Sequence, residues 1–246
     1  MLYLFEHSCL SPFVSPSSFW YILPAMKKFT CIIFDLDGTL TKTNELIFAT
    51  FNHVAQKYTG KIYSPEEITS MFGPPEQIAI ERLVGKDKID EAMNDFYAYY
   101  EAHHPRMADA YEGIREMLEF LKTCGIILAI FTGKGKRSAL ITLDKIGVKN
   151  LFDIIISGND VINHKPSSEG IRKVIDKFEL EPGEVLMVGD SVADVKAAHE
   201  AGVEIAAVLW DSYGKENVMR MKVDYQFHSV KEFFEWVKSV TLPAGV

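Results

Sequence analysis

Cysteine is scarce in this chain of 246 residues. Only Cys9, Cys31 and Cys124 occur, with no CxxC pair and no even framework. A disulfide-stapled scaffold is thereby excluded, and a reducing, cytoplasmic setting is expected. Cys31 and Cys124 fall in or beside apolar segments and read as small core residues. Positive charge is also short: 26 Lys and Arg face 34 Asp and Glu, for a net charge of -8. Such a surface argues against nucleic acid as a partner, because a phosphate backbone needs a basic face. It leaves room for a small phosphate ester, which is held locally by backbone N–H groups, a lysine and a metal ion. Internal repeats and low-complexity tracts are absent.

An uninterrupted membrane-length apolar run is absent too. Residues 1–25 are apolar and rich in Phe, Ser and Pro, but Pro12, Pro16 and Pro24 break the run. Glu6 and His7 stand where a signal peptide carries Lys or Arg. This extension is too short and broken to span a membrane as a helix, so no membrane association is expected. It reads as a mis-placed start with Met26 as the natural beginning, or as an N-terminal arm.

What is present is rhythm. Residues 29–34 (FTCIIF), 126–131 (IILAIF), 154–156 (III), 185–188 (VLMV) and 204–209 (EIAAVL) are short apolar runs that read as buried strands. Between them lie helical patterns. Ile114, Met117, Leu118 and Leu121 follow i, i+3, i+4, i+7 spacing, as do Ile171, Val174, Ile175 and Phe178. Gly125 sits where a helix C-terminal glycine is expected. This alternation predicts an α/β fold with a doubly wound, Rossmann-like parallel sheet. Residues 43–108 break the rhythm, with helical periodicity, no buried strand, and a turn at Gly73-Pro74-Pro75. They predict an inserted α-helical cap, so that residues 26–42 and 109–246 form the core. Phe96, Tyr99, Tyr100 and His103 read as a stripe of the cap's own core.

Four polar segments each follow a predicted strand, and in open α/β sheets ligands bind at the carboxyl ends of strands. Asp35-Leu36-Asp37-Gly38-Thr39 offers two carboxylates one residue apart, suited to a nucleophile and a general acid and base. Thr132-Gly133 offers a hydroxyl and backbone N–H groups to phosphate oxygens. Lys165-Pro166 offers a neutralising cation, with Pro166 expected to open the next helix. Gly189-Asp190-Ser191-Val192-Ala193-Asp194 offers carboxylates to a hard cation such as magnesium. Taken singly, each has a bland reading as a cap, a turn or a solvated surface residue. Together and in this order they converge on one crevice.

This set, with Ala201-Gly202 after the fourth segment, resembles the haloacid dehalogenase-like hydrolase superfamily over nearly the whole chain after Met26. Tyr111-Glu112-Gly113-Ile114 and the segment from Ala197 to Gly202 are similar to the phosphoglycolate phosphatase branch and its pyrophosphatase relatives, and Thr43-Asn44-Glu45-Leu46-Ile47 resembles the pyrophosphatases in particular. The resemblance implies Asp35 as a nucleophile that forms an aspartyl-phosphate. It implies Asp37 as acid and then base. Thr132, with the Gly133 backbone, and Lys165 would hold the phosphoryl group. Magnesium would sit on Asp35, Asp190 and the carbonyl of Asp37, with Asp194 positioning Asp190 or a water. The superfamily's dehalogenases lack the second aspartate, so Asp37 favours phosphoryl chemistry.

The resemblance therefore implies a magnesium-dependent phosphatase acting on a small phosphate ester, phosphoglycolate-like, or on pyrophosphate. A phosphosugar mutase like β-phosphoglucomutase and a non-catalytic phosphate-binding module are the alternatives, and the chain is expected to be a monomer or homodimer. His53, Arg82, Lys86 and the Gly73 loop are candidates for leaving-group contacts, mostly as solvated positions; Lys134 and Lys136 are further candidates. His103 and His104 lack further ligands at metal spacing and are assigned to the surface.

Overall fold

The computed structural model describes residues 28–241, so the extension 1–25 and Cys9 lie outside the described residues. Strand β1 (Cys31–Phe34) is followed by the short β2 (Thr41–Lys42) and four helices, α1 (Asn44–Thr59), α2 (Pro65–Thr69), α3 (Glu76–Val84) and α4 (Ile89–Met107). The chain returns through β3 (Asp109–Ala110) and then alternates: α5 (Ile114–Thr123), β4 (Ile127–Phe131), α6 (Lys136–Lys145), β5 (Ile154–Ile156), α7 (Glu169–Phe178), β6 (Val185–Gly189), α8 (Val192–Ala201) and β7 (Glu204–Val208). Helix α9 (Lys215–Met219), β8 (Tyr225–Phe227) and α10 (Val230–Thr241) follow.

Among the described residues, six strands form one sheet in the order β5-β4-β1-β6-β7-β8, every neighbouring pair parallel. This is the α/β, doubly wound architecture expected from the alternation. Side-chain alternation explains why each strand is apolar throughout. Ile32, Phe34, Leu128, Ile130, Leu186 and Val188 point to one face, under α5, α6 and α10. Cys31, Ile33, Ala129, Phe131, Val185 and Met187 point to the other, under α7 and α8. Burial pushes the Cys31 thiol up to about 12, with Asp153 adding to it, which suits a core residue. Gly125, at φ +67°, ends α5 as the spacing requires. Among the described residues, no helix is long and apolar enough to cross a membrane.

The chain passes outward from β1 to β4 and β5, then returns to place β6 on the other side of β1. The crevice therefore opens at the carboxyl end of β1, between strands leading in opposite directions. Helices α1, α3 and α4 pack around a separate apolar cluster that includes Leu46, Phe51, Val54, Ile80, Phe96 and Tyr100. The segment leaves and re-enters the sheet unit through β2 and β3, which pair antiparallel with Thr41 opposite Ala110.

Three details differ from the sequence expectation. The buried stripe of α4 is Met93, Phe96, Tyr100 and His104, not one centred on Tyr99 and His103. His104 is buried against Tyr100 and is not a surface residue; only the three- and four-residue steps from Met93 place it there. His103 instead lies half-buried over the Tyr99 ring. Pro166 does not open a helix: α7 begins at Glu169, and Pro166 follows a cis peptide bond to Lys165 in the preceding loop.

Candidate active site

The heads of the strands are fixed by backbone bonding before any side chain acts. The Asp35 N–H donates to Val188 O at 2.8 Å, and the Thr132 N–H donates to Ile156 O at 3.0 Å. Each first polar residue thus sits one ladder bond beyond its strand, at the lip of the crevice. After Asp35 the chain turns back tightly, with Thr41 N–H on Leu36 O at 3.1 Å. Gly38 makes this turn at φ +82°, and a Cβ there would lie 2.6 Å from the Asp190 carboxylate. The turn therefore packs directly against Asp190 only because residue 38 has no side chain.

Lys165 occupies the centre. Its Nζ donates to Asp35 Oδ1 at 2.7 Å and to Asp194 Oδ1 at 2.6 Å, and all three side chains are nearly buried. Burial works against the lysine charge, but Asp194 and Asp35 more than offset it and hold the ammonium above its ordinary pKa. Asp194 also accepts from Ser191, through N–H at 3.0 Å and Oγ at 2.6 Å, in a reciprocal cap of α8. Asp190 accepts from Thr39 Oγ1 at 3.2 Å.

Oxygens of Asp35, Asp190 and Asp194 lie within 4.8 Å of one another. Burial drives the Asp35 carboxyl up to about 7; Lys165 opposes the rise, and Asp194 and Asp37 reinforce it. Asp190 is raised well above the ordinary range by burial, with the charges of Asp35 and Asp194 adding to it. Three carboxylates crowded together with one ammonium are short of positive charge, and an all-oxygen donor set suits a hard divalent cation. The residues therefore fit such an ion.

The same shifts set a stability test. Asp35 holds its proton in the folded state up to about pH 7, against an ordinary value of 3.8 when unfolded. The folded state binds more protons across that window, so metal-free stability falls as pH rises from about 4 to about 7. Asp190 acts in the same direction. Melting the metal-free protein from pH 4 to pH 8 should show this decline, and Asp35→Asn should flatten it. Equal slopes in the two proteins would rule out Asp35 as a source of the decline.

Asp37 stands apart from the three-carboxylate group. Thr43 Oγ1 donates to its Oδ1, and Lys134 Nζ reaches both oxygens at 3.2 Å. Lys134 is itself buried, 4.8 Å above the Tyr100 ring of α4. Burial works against its charge, but Asp37, Tyr100 and Glu76 together more than offset it, holding the pKa above the ordinary value.

Asp35, Asp37, Thr132, Gly133, Lys165 and Asp190 all line one cavity of about 450 Å³. Asp194 lies fully buried behind Lys165 and is not part of the lining. The roof comes from the helical segment. A Cβ on Gly133 would lie 2.6 Å from Gly73 O, so the Gly73 loop rests directly on the second motif. Glu76, at the start of α3, accepts from Gly135 N–H at 2.7 Å and Ser138 Oγ at 2.6 Å. It thereby caps the exposed donors of α6 from across the crevice.

Of the other sequence candidates, only Lys134 and the Gly73 loop reach the cavity. Lys136 pairs with Asp160 at the surface, His53 stacks on Tyr99, and Arg82 and Lys86 line a separate shallow groove. Sequence reasoning missed Thr43 as a partner of Asp37, and it missed Glu76 and Tyr213 altogether. Glu76 follows the Gly73-Pro74-Pro75 turn, the one local signal for it.

The profile of the haloacid dehalogenase-like hydrolase family matches residues 32–208, and the chain belongs to that family. Among its relatives is the pyrophosphatase PpaX of Halalkalibacterium halodurans, 32% identical over 206 residues, 84% of this chain and 95% of the relative. PpaX of Bacillus velezensis is also 32% identical over 206 residues, with the same shares of both chains. A solved structure from Haemophilus somnus, assigned by prediction as a phosphoglycolate phosphatase, superimposes with a TM-score of 0.73 at 24% identity. It covers 86% of this chain and 99% of that one, and shows the shared fold. A Thermotoga maritima structure, assigned by prediction as a β-phosphoglucomutase, gives 0.68 at 27%, over 86% and 100%. By family and relatives the chain is an enzyme of the phosphatase kind.

Proposed function

We propose that this enzyme is a magnesium-dependent phosphatase that hydrolyses a small phosphate ester, phosphoglycolate-like, or pyrophosphate, through an aspartyl-phosphate on Asp35. The observation that carries the reading is the placement of Asp35. Its carboxylate faces the cavity at the head of β1, 2.7 Å from Lys165 and grouped with Asp190.

An Asp35 oxygen attacks phosphorus as the bond to the leaving oxygen breaks. Asp37, held by Thr43 and Lys134, gives that oxygen a proton. It then takes a proton from the water that attacks phosphorus, releasing phosphate and restoring Asp35. Thr132, the Gly133 backbone and Lys165 line the place of the transferring oxygens and stabilise their charge. Asp35, Asp190 and the carbonyl of Asp37 would hold magnesium, with Asp194 behind fixing Lys165. When bound, magnesium offsets the repulsion between carboxylate and phosphate and polarises the phosphoryl group. Residues 43–108 act as the cap that closes the crevice and excludes water. A reducing, cytoplasmic setting belongs to the same reading.

Phosphate release should be measured over a panel of small esters and pyrophosphate, with magnesium and with chelator. Acid-quenched enzyme is expected to carry a hydroxylamine-sensitive acyl phosphate in magnesium only. Isomerisation of a hexose phosphate with little phosphate release would favour the mutase, a reading to which the Thermotoga maritima neighbour lends support. Unchanged turnover in chelator would defeat the metal assignment.

A further inference from the structure

The cavity is larger than a phosphate group needs, and its volume of about 450 Å³ falls in the range of small-molecule sites, roughly 300–1,000 Å³. The excess lies on the leaving-group side, so its walls show what that group is. Cations are the first thing to count. Among the described residues, Lys134 and Lys165 are the only Lys or Arg in the lining, and both are already engaged, Lys134 on Asp37 and Lys165 on Asp35 and Asp194. No third cationic side chain among the described residues waits for a second phosphoryl group or a carboxylate. The helical segment supplies mainly apolar side chains, Ile47, Phe51, Met71, Phe72 and Phe96, with the uncharged polar Asn44 and Thr69 and the engaged Glu76, and Tyr213 lines the cavity from the sheet unit.

Phe72 and Tyr213 are 42% and 63% exposed, while most large apolar side chains are buried. Phe48 joins the two, stacked on Phe72 with centroids 6.4 Å apart and edge-on to Tyr213 at 5.6 Å. The acidic groups Asp211, Glu45 and Glu66 bear on the Tyr213 phenol and, after burial, raise its pKa. The outer end of the cavity is thus apolar and surrounded by negative charge. An anion placed there meets acidic neighbours and, among the described residues, no free cationic side chain.

We infer that the leaving group of the preferred substrate is uncharged and partly apolar, an alkyl or aryl alcohol of a phosphomonoester, and is neither phosphate nor a carboxylate-bearing alcohol. The inference rests on the phosphatase reading above, keeps its small phosphate ester, and sets aside its phosphoglycolate-like and pyrophosphate forms. Chemistry stays as described: the leaving oxygen takes its proton from Asp37 and departs as a neutral alcohol. Binding energy comes from covering Phe72, Tyr213 and the inner wall, and discrimination comes from setting an anion beside Asp211, Glu45 and Glu66 with no cation at hand.

The test compares kcat/KM for benzyl phosphate, 2-phosphoglycolate and pyrophosphate at one magnesium concentration. Benzyl phosphate and 2-phosphoglycolate are both esters of primary alcohols, so their ratio reads recognition rather than leaving-group reactivity. Benzyl phosphate is expected to lead both anionic-leaving substrates by at least about tenfold. Phe72→Lys supplies the missing cation at a part-exposed position, and should narrow that lead at least about threefold by raising turnover of the anionic pair. A smaller wild-type lead, or a lead unaltered by Phe72→Lys in a variant that melts like wild type, overturns the inference while leaving the phosphatase reading intact. Failure to turn over any of the three defeats that reading and the inference with it.

Discussion

Asp35→Asn is expected to abolish turnover, by a factor on the order of 10⁴ or more, without weakening the fold. The amide keeps the shape of the carboxylate and still offers Lys165 an acceptor, but it cannot attack phosphorus. Asp35 is also a destabilising charge in the metal-free protein, since burial pushes its carboxyl up to about 7. Removing that charge should leave the metal-free melting temperature at neutral pH equal to or above that of wild type. The two readouts together separate a nucleophile from a structural aspartate, because loss of a structural ion-pair partner would lower both. Phosphate release under saturating substrate and magnesium, beside thermal melts in chelator, makes the measurement. Turnover within tenfold of wild type would sink the assignment of the nucleophile.

Lys165→Met should lower both quantities. The lysine is the shared donor to two buried carboxylates, at 2.7 Å to Asp35 and 2.6 Å to Asp194. Methionine fills a similar volume and leaves both acids without their cation. Breaking a buried pair in this way costs about 3–5 kcal/mol. For a domain of this size that is on the order of 10 °C in melting temperature. Turnover should fall by about 10²–10³-fold, the range seen when a preorganised charge facing the transition state is removed. Magnesium should recover part of the lost stability, since it neutralises the same carboxylates, but little of the turnover. A variant that melts with wild type and turns over normally would show that Lys165 is dispensable to the site.

The sheet was largely legible in the sequence because buried parallel strands are apolar throughout and stop at a polar residue. Phe34 to Asp35 and Phe131 to Thr132 each mark such a change, and both fall at the lip of the crevice. Strand β8 was not legible. Tyr225-Gln226-Phe227 is three residues long with a polar centre, which is normal for an edge but gives no run to detect. His104 was misplaced for a related reason: two adjacent histidines look polar, and only the helical register shows which one turns inward. Around the cavity, Asp35, Thr132 and Asp190 each follow a strand directly, which is what made them stand out, while Lys165 lies in a loop well beyond the end of β5. The partners of the motif residues could not be read. Lys134 reaches Asp37 across 97 positions, and Glu76 reaches Gly135 across 59, distances over which local pattern carries no signal.

The two crossings between the sheet unit and the helical segment lie side by side as β2 and β3, with Thr41 opposite Ala110 and Lys42 opposite Asp109. An excursion that departs and arrives at the same doorway imposes almost nothing on the strands behind it. Its length and contents can change while the spacing of those two ends stays fixed, and the entropy of closing such a loop grows only slowly with its size. Selection could therefore reshape the apolar wall that greets the alcohol without disturbing the carboxylates that handle phosphorus.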